Sequence, residues 1–164
     1  MIAALRRGYG AAVQQTASGA TVAVAPLRSR SIWSGVLVGV GLAAFVDEAV
    51  FHQLVHWHHF YDGGGPGAAL VSDGLFHVAG WLAVVGGLFL YAALQRRHAL
   101  GVRAWWAGLL LGLGGFELYD GLVQHKLFGL HQIRYGVELL PYDLTWNVLA
   151  VVAIVAGLVV LRRA

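Results

Sequence analysis

The sequence predicts an all-α protein: a transmembrane four-helix bundle made of two repeated helical hairpins. Composition is the first observation behind it. In 164 residues, 59% are hydrophobic, 12% are charged and the mean hydropathy is +0.69, which is too apolar for an ordinary soluble domain. The second is a set of four apolar spans, at about 32–55, 75–94, 104–127 and 144–161. Each is near the ~20 residues needed to cross a ~30 Å hydrocarbon core. The third is internal similarity at a separation of 73 positions. Trp33, Gly35, Gly39, Gly41, Asp47, His52, Leu54 and His58 read again as Trp106, Gly108, Gly112, Gly114, Asp120, His125, Leu127 and His131. Two copies of a two-helix hairpin insert in the same sense, so the repeats, at about 32–95 and 104–162, are expected to be related by a pseudo-twofold axis along the membrane normal.

Residues 1–31 carry Arg6, Arg7, Arg28 and Arg30 among Gly, Ala, Ser, Thr and Gln, without the apolar core of a signal peptide, and read as a loosely ordered cytoplasmic arm before a 32–164 membrane domain. In the first span and its counterpart, Gly35, Gly39 and Gly41 and then Gly108, Gly112 and Gly114 have the small-xxx-small spacing that lets helix backbones approach closely. No strand precedes them, so they are packing residues and not a nucleotide-binding loop. Trp33, Trp57, Trp81, Trp105, Trp106 and Trp146 fall mostly near span ends, as belt residues do.

Positive charge sets the orientation, because short cytoplasmic loops accumulate Lys and Arg. Nine of the eleven lie in the arm, at Arg96, Arg97 and Arg103, or at Arg162 and Arg163, while Lys126 and Arg134 lie on the other side. Both termini are expected in the cytoplasm of an inner-membrane, multi-pass protein, with the 56–72 and 128–142 loops outside. Seven of eight histidines and all eight acidic residues then gather in the outer half. A net charge of +3 and a pI near 9.6 imply no nucleic-acid partner, since the basic residues mark helix ends and form no stripe. The expected partner is the lipid bilayer, with a homodimer or another membrane protein as a further possibility.

Ionisable side chains inside a membrane segment are costly and mark functional sites by default. Asp47, His52 and His58, and again Asp120, His125 and His131, share the pattern Asp-x4-His-x5-His. The returning spans add Asp73 with His77 and Asp143 with Asn147, each four residues apart on one helical face. At ~1.5 Å of rise per residue, Asp47 levels with His77 and His52 with Asp73, and Asp120 with Asn147 and His125 with Asp143. Opposed imidazoles and carboxylates inside a four-helix bundle read as a metal site. The chain has no cysteine and its only methionine is Met1, so soft sulfur ligation is absent, and the donors suit Zn, Fe, Mn or Cu(II).

Asp47, His52, His58, Asp73, His77, Asp120, His125, His131 and Asp143 are the expected ligands, with Glu48, His56, His59 and Asn147 as accessories. His56 and His59 have Gly129 and Gln132 at the matching positions. Glu117, where the first copy has Ala44, is a candidate proton acceptor. The competing readings are a non-catalytic scaffold held by an interhelical polar network and a haem redox protein, the latter needing two imidazoles facing each other across the bundle.

The segments VDEAVFHQLVHWHHFYD, SDGLFH and YDGLVQHKLFGLHQIRYGVELLPYDLTWN resemble a family of small bacterial membrane proteins catalogued as domain of unknown function 2243. The resemblance covers about 33–158, and the stretch holding Gln124, His125, Lys126, His131, Gln132, Arg134, Tyr135, Tyr142 and Asp143 is its most recognisable part. It implies a multi-pass inner-membrane protein and brings no activity with it.

Overall fold

A computed structural model describes residues 28–164. Most of the expected 1–31 arm lies outside the described residues, and residues 28–31 form the start of the first helix. Helix α1 spans Arg28–Leu54, with its end, Asp47–Leu54, wound as a π-helix. Helix α2 is Gly65–Arg96. Helix α3, Val102–Tyr119, runs without a break into a second π-helical stretch, Asp120–Phe128, and α4 is Leu140–Arg162. No strand occurs among the described residues.

These segments are helical because lipid offers no hydrogen-bond partners, so each segment must satisfy its backbone internally. Pro66 and Pro141 open α2 and α4, where a missing N–H costs nothing. The Pro66 start lets α2 begin ten residues before the apolar run at 75, placing Asp73 and His77 within the helix. By length and composition, α1, α2 and α4 are apolar enough to cross a membrane. The apolar run of α3 is diluted by Arg103, Trp105, Trp106, Glu117 and four glycines. Half of the apolar window of α1 is buried, against 17% for α2 and 11% for α4, so α1 sits inside while the other two turn residues such as Leu82, Phe89 and Val152 outward.

Glycine makes the central contact possible. A Cβ on Gly35 would lie 2.1 Å from the Trp105 carbonyl oxygen, and one on Gly39 2.1 Å from that of Leu109. Reciprocally, Gly108 meets the Ile32 oxygen at 2.1 Å and Gly112 that of Val36 at 2.3 Å. The contacts advance together, so α1 and α3 run parallel, backbone against backbone. Gly41 packs on Gly80 and Gly87 on Val38, which runs α2 antiparallel to α1. Gly114 packs on Ala150 and Gly157 on Leu111, which does the same for α4 and α3. Ser34 ties three helices by donating to the Gly87 carbonyl (2.8 Å) and accepting from Trp105 Nε1 (3.1 Å).

The bundle has two unlike ends. At one, Arg28 donates to the Leu161 carbonyl and Arg103 to that of Arg163. At the other, both π-helical stretches meet the 55–64 and 129–139 connections, which are joined by a hydrogen bond from Asp62 N to Leu130 O (3.2 Å).

Candidate metal centre

The π-helical winding begins at Asp47 in α1 and at Asp120 after α3. In an α-helix, residues five apart are rotated by about 140° and cannot share a face. A π-helix closes its hydrogen bonds from i to i+5, as in Val55 N to Val50 O (2.9 Å), so residues five apart stack one turn above another. Asp47 and His52 thereby share one face, as do Asp120 and His125. His52 Nε2 lies 3.4 Å from Asp47 Oδ2, and His125 Nε2 lies 3.0 Å from Asp120 Oδ2. The first stretch is followed by His56 at φ +49° and the second by Gly129 at φ +59°. These left-handed residues turn the chain back over the end of the bundle.

The turned-back connections deliver His58 and His131, each 3.7 Å from an aspartate: His58 Nε2 from Asp47 Oδ1, and His131 Nε2 from Asp120 Oδ1. Their rings stack at 4.5 Å with 5° between planes. Each ring is held by the opposite connection, since His58 Nδ1 donates to the Ile133 carbonyl and His131 Nδ1 to the Phe60 carbonyl, both at 2.9 Å. A carbonyl can only accept, so the proton of each ring is on Nδ1 and the Nε2 lone pair is free. Both Nε2 atoms are buried without a hydrogen-bond partner, as are His52 Nε2, Asp47 Oδ1, Asp120 Oδ2 and both ring nitrogens of His125. Burial first, and then the neighbouring His58, push the His131 imidazole down to about 4, so the ring is neutral at neutral pH.

Buried polar atoms are almost always paired, so unpaired atoms converging on one spot call for an explanation. Asp47, His52, His58, Asp73, Asp120, His125 and His131 are each 0–3% exposed. Among the described residues, three sets have donor atoms within 4.8 Å of one another: His58, His125 and His131; Asp47, His52 and His58; and Glu48, His52 and Asp73. These buried groups can hold a metal ion. An imidazole with Nδ1–H given to a carbonyl and Nε2 free is the arrangement metal-ligating histidines adopt.

The remaining sequence-predicted residues divide. Glu48 Oε2 accepts from His52 Nδ1 (2.8 Å), and Asp73 Oδ1, which accepts from Phe60 N (2.8 Å), lies 3.2 Å from the same Nδ1. The other oxygen of Asp73 binds His59 Nδ1 at 2.7 Å, so His59 reaches the centre only through Asp73. His77 lies outside the cluster, packed on Phe45 and accepting from Trp81 Nε1 at 3.0 Å. Helical rise sets its level beside Asp47, but its direction is set by the packing of α2. Asp143 pairs with Lys126 (2.6 Å), and Asn147 Nδ2 donates to the Asp143 carbonyl, so neither contacts His125 through those bonds. His56 is exposed. Glu117 lines an apolar cavity of about 340 Å³ with Leu42, Val46, Phe51, Leu113 and Trp146, close to Asp47 and Asp120. Sequence reasoning passed over the Phe60 and Ile133 carbonyls and Gln124, which donates to Asp120 Oδ1 (2.9 Å). Backbone acceptors have no sequence signature, whereas Gln124 was legible as the residue four after Asp120.

Compared with known proteins, the chain matches the family model described as "Predicted membrane protein (DUF2243)" over residues 34–164, and it belongs to that family. No curated protein and no solved structure matches it.

Proposed function

From membership in a family of membrane proteins, we propose that this chain crosses the bilayer four times as two pseudo-twofold-related hairpins and carries a His/Asp metal centre at its extracytoplasmic end. The reciprocal glycine contacts support the arrangement: Gly35 on Trp105 mirrors Gly108 on Ile32, and Gly41 on Gly80 mirrors Gly114 on Ala150. The density of Lys and Arg at the Arg28 and Arg103 end supports a cytoplasmic assignment for both termini.

One observation carries the metal reading: His58 and His131 are each locked by Nδ1 donation to a backbone carbonyl, leaving two buried, unpartnered Nε2 lone pairs facing Asp47 and Asp120. A hydrogen-bonded scaffold gains nothing from that geometry, because an imidazole lone pair and a carboxylate are both acceptors and repel when they face each other. A divalent transition metal, Zn, Fe, Mn or Cu(II), satisfies both. The stacking of His58 on His131 leaves no space for a haem macrocycle between those rings. The role is metal handling, or metal-dependent chemistry in the membrane. The second is favoured by Glu117, a carboxyl that lines an apolar cavity beside the centre and is the candidate for moving a proton there. Metal analysis of protein purified without a histidine tag, before and after reconstitution with each of the four ions, is expected to find bound metal. Its absence in every case returns the site to a scaffold.

A further inference from the structure

We propose that the centre is dinuclear, with one divalent ion on Asp47, His52 and His58 and a second on Asp120, His125 and His131, and that the first is held more tightly. The inference rests on the metal reading above and adds stoichiometry and order.

Charge is the first argument. Asp47, Glu48, Asp73 and Asp120 are each at most 3% exposed, and among the described residues none forms an ion pair with Lys or Arg; their ion-pair partners are histidines. Uncompensated buried carboxylates are costly, and two divalent ions balance four of them.

Donor spacing is the second argument. Two atoms bound tetrahedrally to one zinc at ~2.0–2.1 Å lie about 3.4 Å apart. Asp47 faces His52 Nε2 at 3.4 Å and His58 Nε2 at 3.7 Å, and Asp120 faces His125 Nε2 at 3.0 Å and His131 Nε2 at 3.7 Å. Each aspartate thus offers one oxygen to each histidine of its own set; the Asp47 set is among those with all three donors within 4.8 Å of one another and the Asp120 set is not, which agrees with the first ion being the tighter. A single central ion on His58, His125 and His131 leaves Asp47 and His52 unused.

The order follows from what stands behind each histidine. His52 Nδ1 is backed by Glu48 and Asp73, which raise the basicity of its Nε2. His125 Nδ1 has no partner. Gly121 stands 73 positions after Glu48, and Asp143 is drawn to Lys126. Such carboxylate support changes metal affinity by about 10–100-fold, which is the gap expected between the two sites.

The test is a calorimetric titration of zinc into chelator-stripped, tag-free protein in detergent, with metal counted after desalting and helicity checked by circular dichroism. The parent is expected to bind two zinc ions per chain in two steps. His125→Asn is expected to lose only the weak step, His52→Asn the tight one, and Glu48→Gln to retain both ions while narrowing the gap. One ion per chain, abolished by either histidine variant, overturns the dinuclear site while leaving a metal protein. Two equal steps overturn the order. No binding of zinc, or of iron, manganese or Cu(II) titrated in the same way, to the folded parent defeats the metal reading itself.

Discussion

Replacing Gly39 by Ala tests the central helix contact directly. The added Cβ would lie 2.1 Å from the Leu109 carbonyl oxygen and 2.8 Å from Leu113 N, both backbone atoms that no rotamer change can move. Real Cβ contacts essentially never fall below 3.0 Å, so α1 and α3 must part locally by about 0.9 Å. Overpacking of this kind costs about 1–3 kcal/mol. Alanine also favours the helix over glycine by roughly 1 kcal/mol, so the packing cost must be separated from that gain. Gly115→Ala provides the separation, since it lies in α3 and its Cβ would meet nothing within 4 Å. Unfolding in mixed micelles, followed by circular dichroism, is expected to show Gly39→Ala less stable than Gly115→Ala by about 1–3 kcal/mol. The double variant Gly39→Ala, Gly112→Ala should lose less than the sum of its singles, because helices already parted accommodate the second Cβ. Equal shifts for Gly39→Ala and Gly115→Ala would refute the close parallel packing of α1 and α3.

Further outcomes follow from the geometry of the centre. His58→Asn and His131→Asn should keep the helical content and sharply reduce bound metal, whereas His77→Asn, changed outside the cluster, should retain it; loss of metal in His77→Asn would place that residue among the ligands. His56→Gly should hold metal as the parent does and gain up to about 1 kcal/mol, because φ +49° strains a residue with a Cβ; a destabilised variant would show the His56 ring contributes contacts that outweigh the strain. Reporter fusions after Ala164 and within residues 63–68 should report opposite sides of the membrane, and a shared side would remove the proposed orientation.

The sequence by itself determined the class: its apolar composition dictates membrane helices, and its glycine spacing anticipates close helix contacts. It also named the aspartates and histidines now found together, because charged and imidazole side chains in apolar surroundings are conspicuous wherever they occur. Rise along a helix is readable from residue number, so the levels of His52 and Asp73 came out together, and the two residues do touch. Direction around a helix is not readable when the winding changes. Only the tertiary structure decided that Asp47–Leu54 and Asp120–Phe128 wind as π-helices, which turns Asp-x4-His from two faces into one. Only packing decided that His77 meets Phe45 and Trp81 and that Asp143 is taken by Lys126. The free Nε2 atoms of His58 and His131 depend on carbonyls of Ile133 and Phe60, 75 and 71 residues distant, and a peptide carbonyl is the same at every position in a sequence.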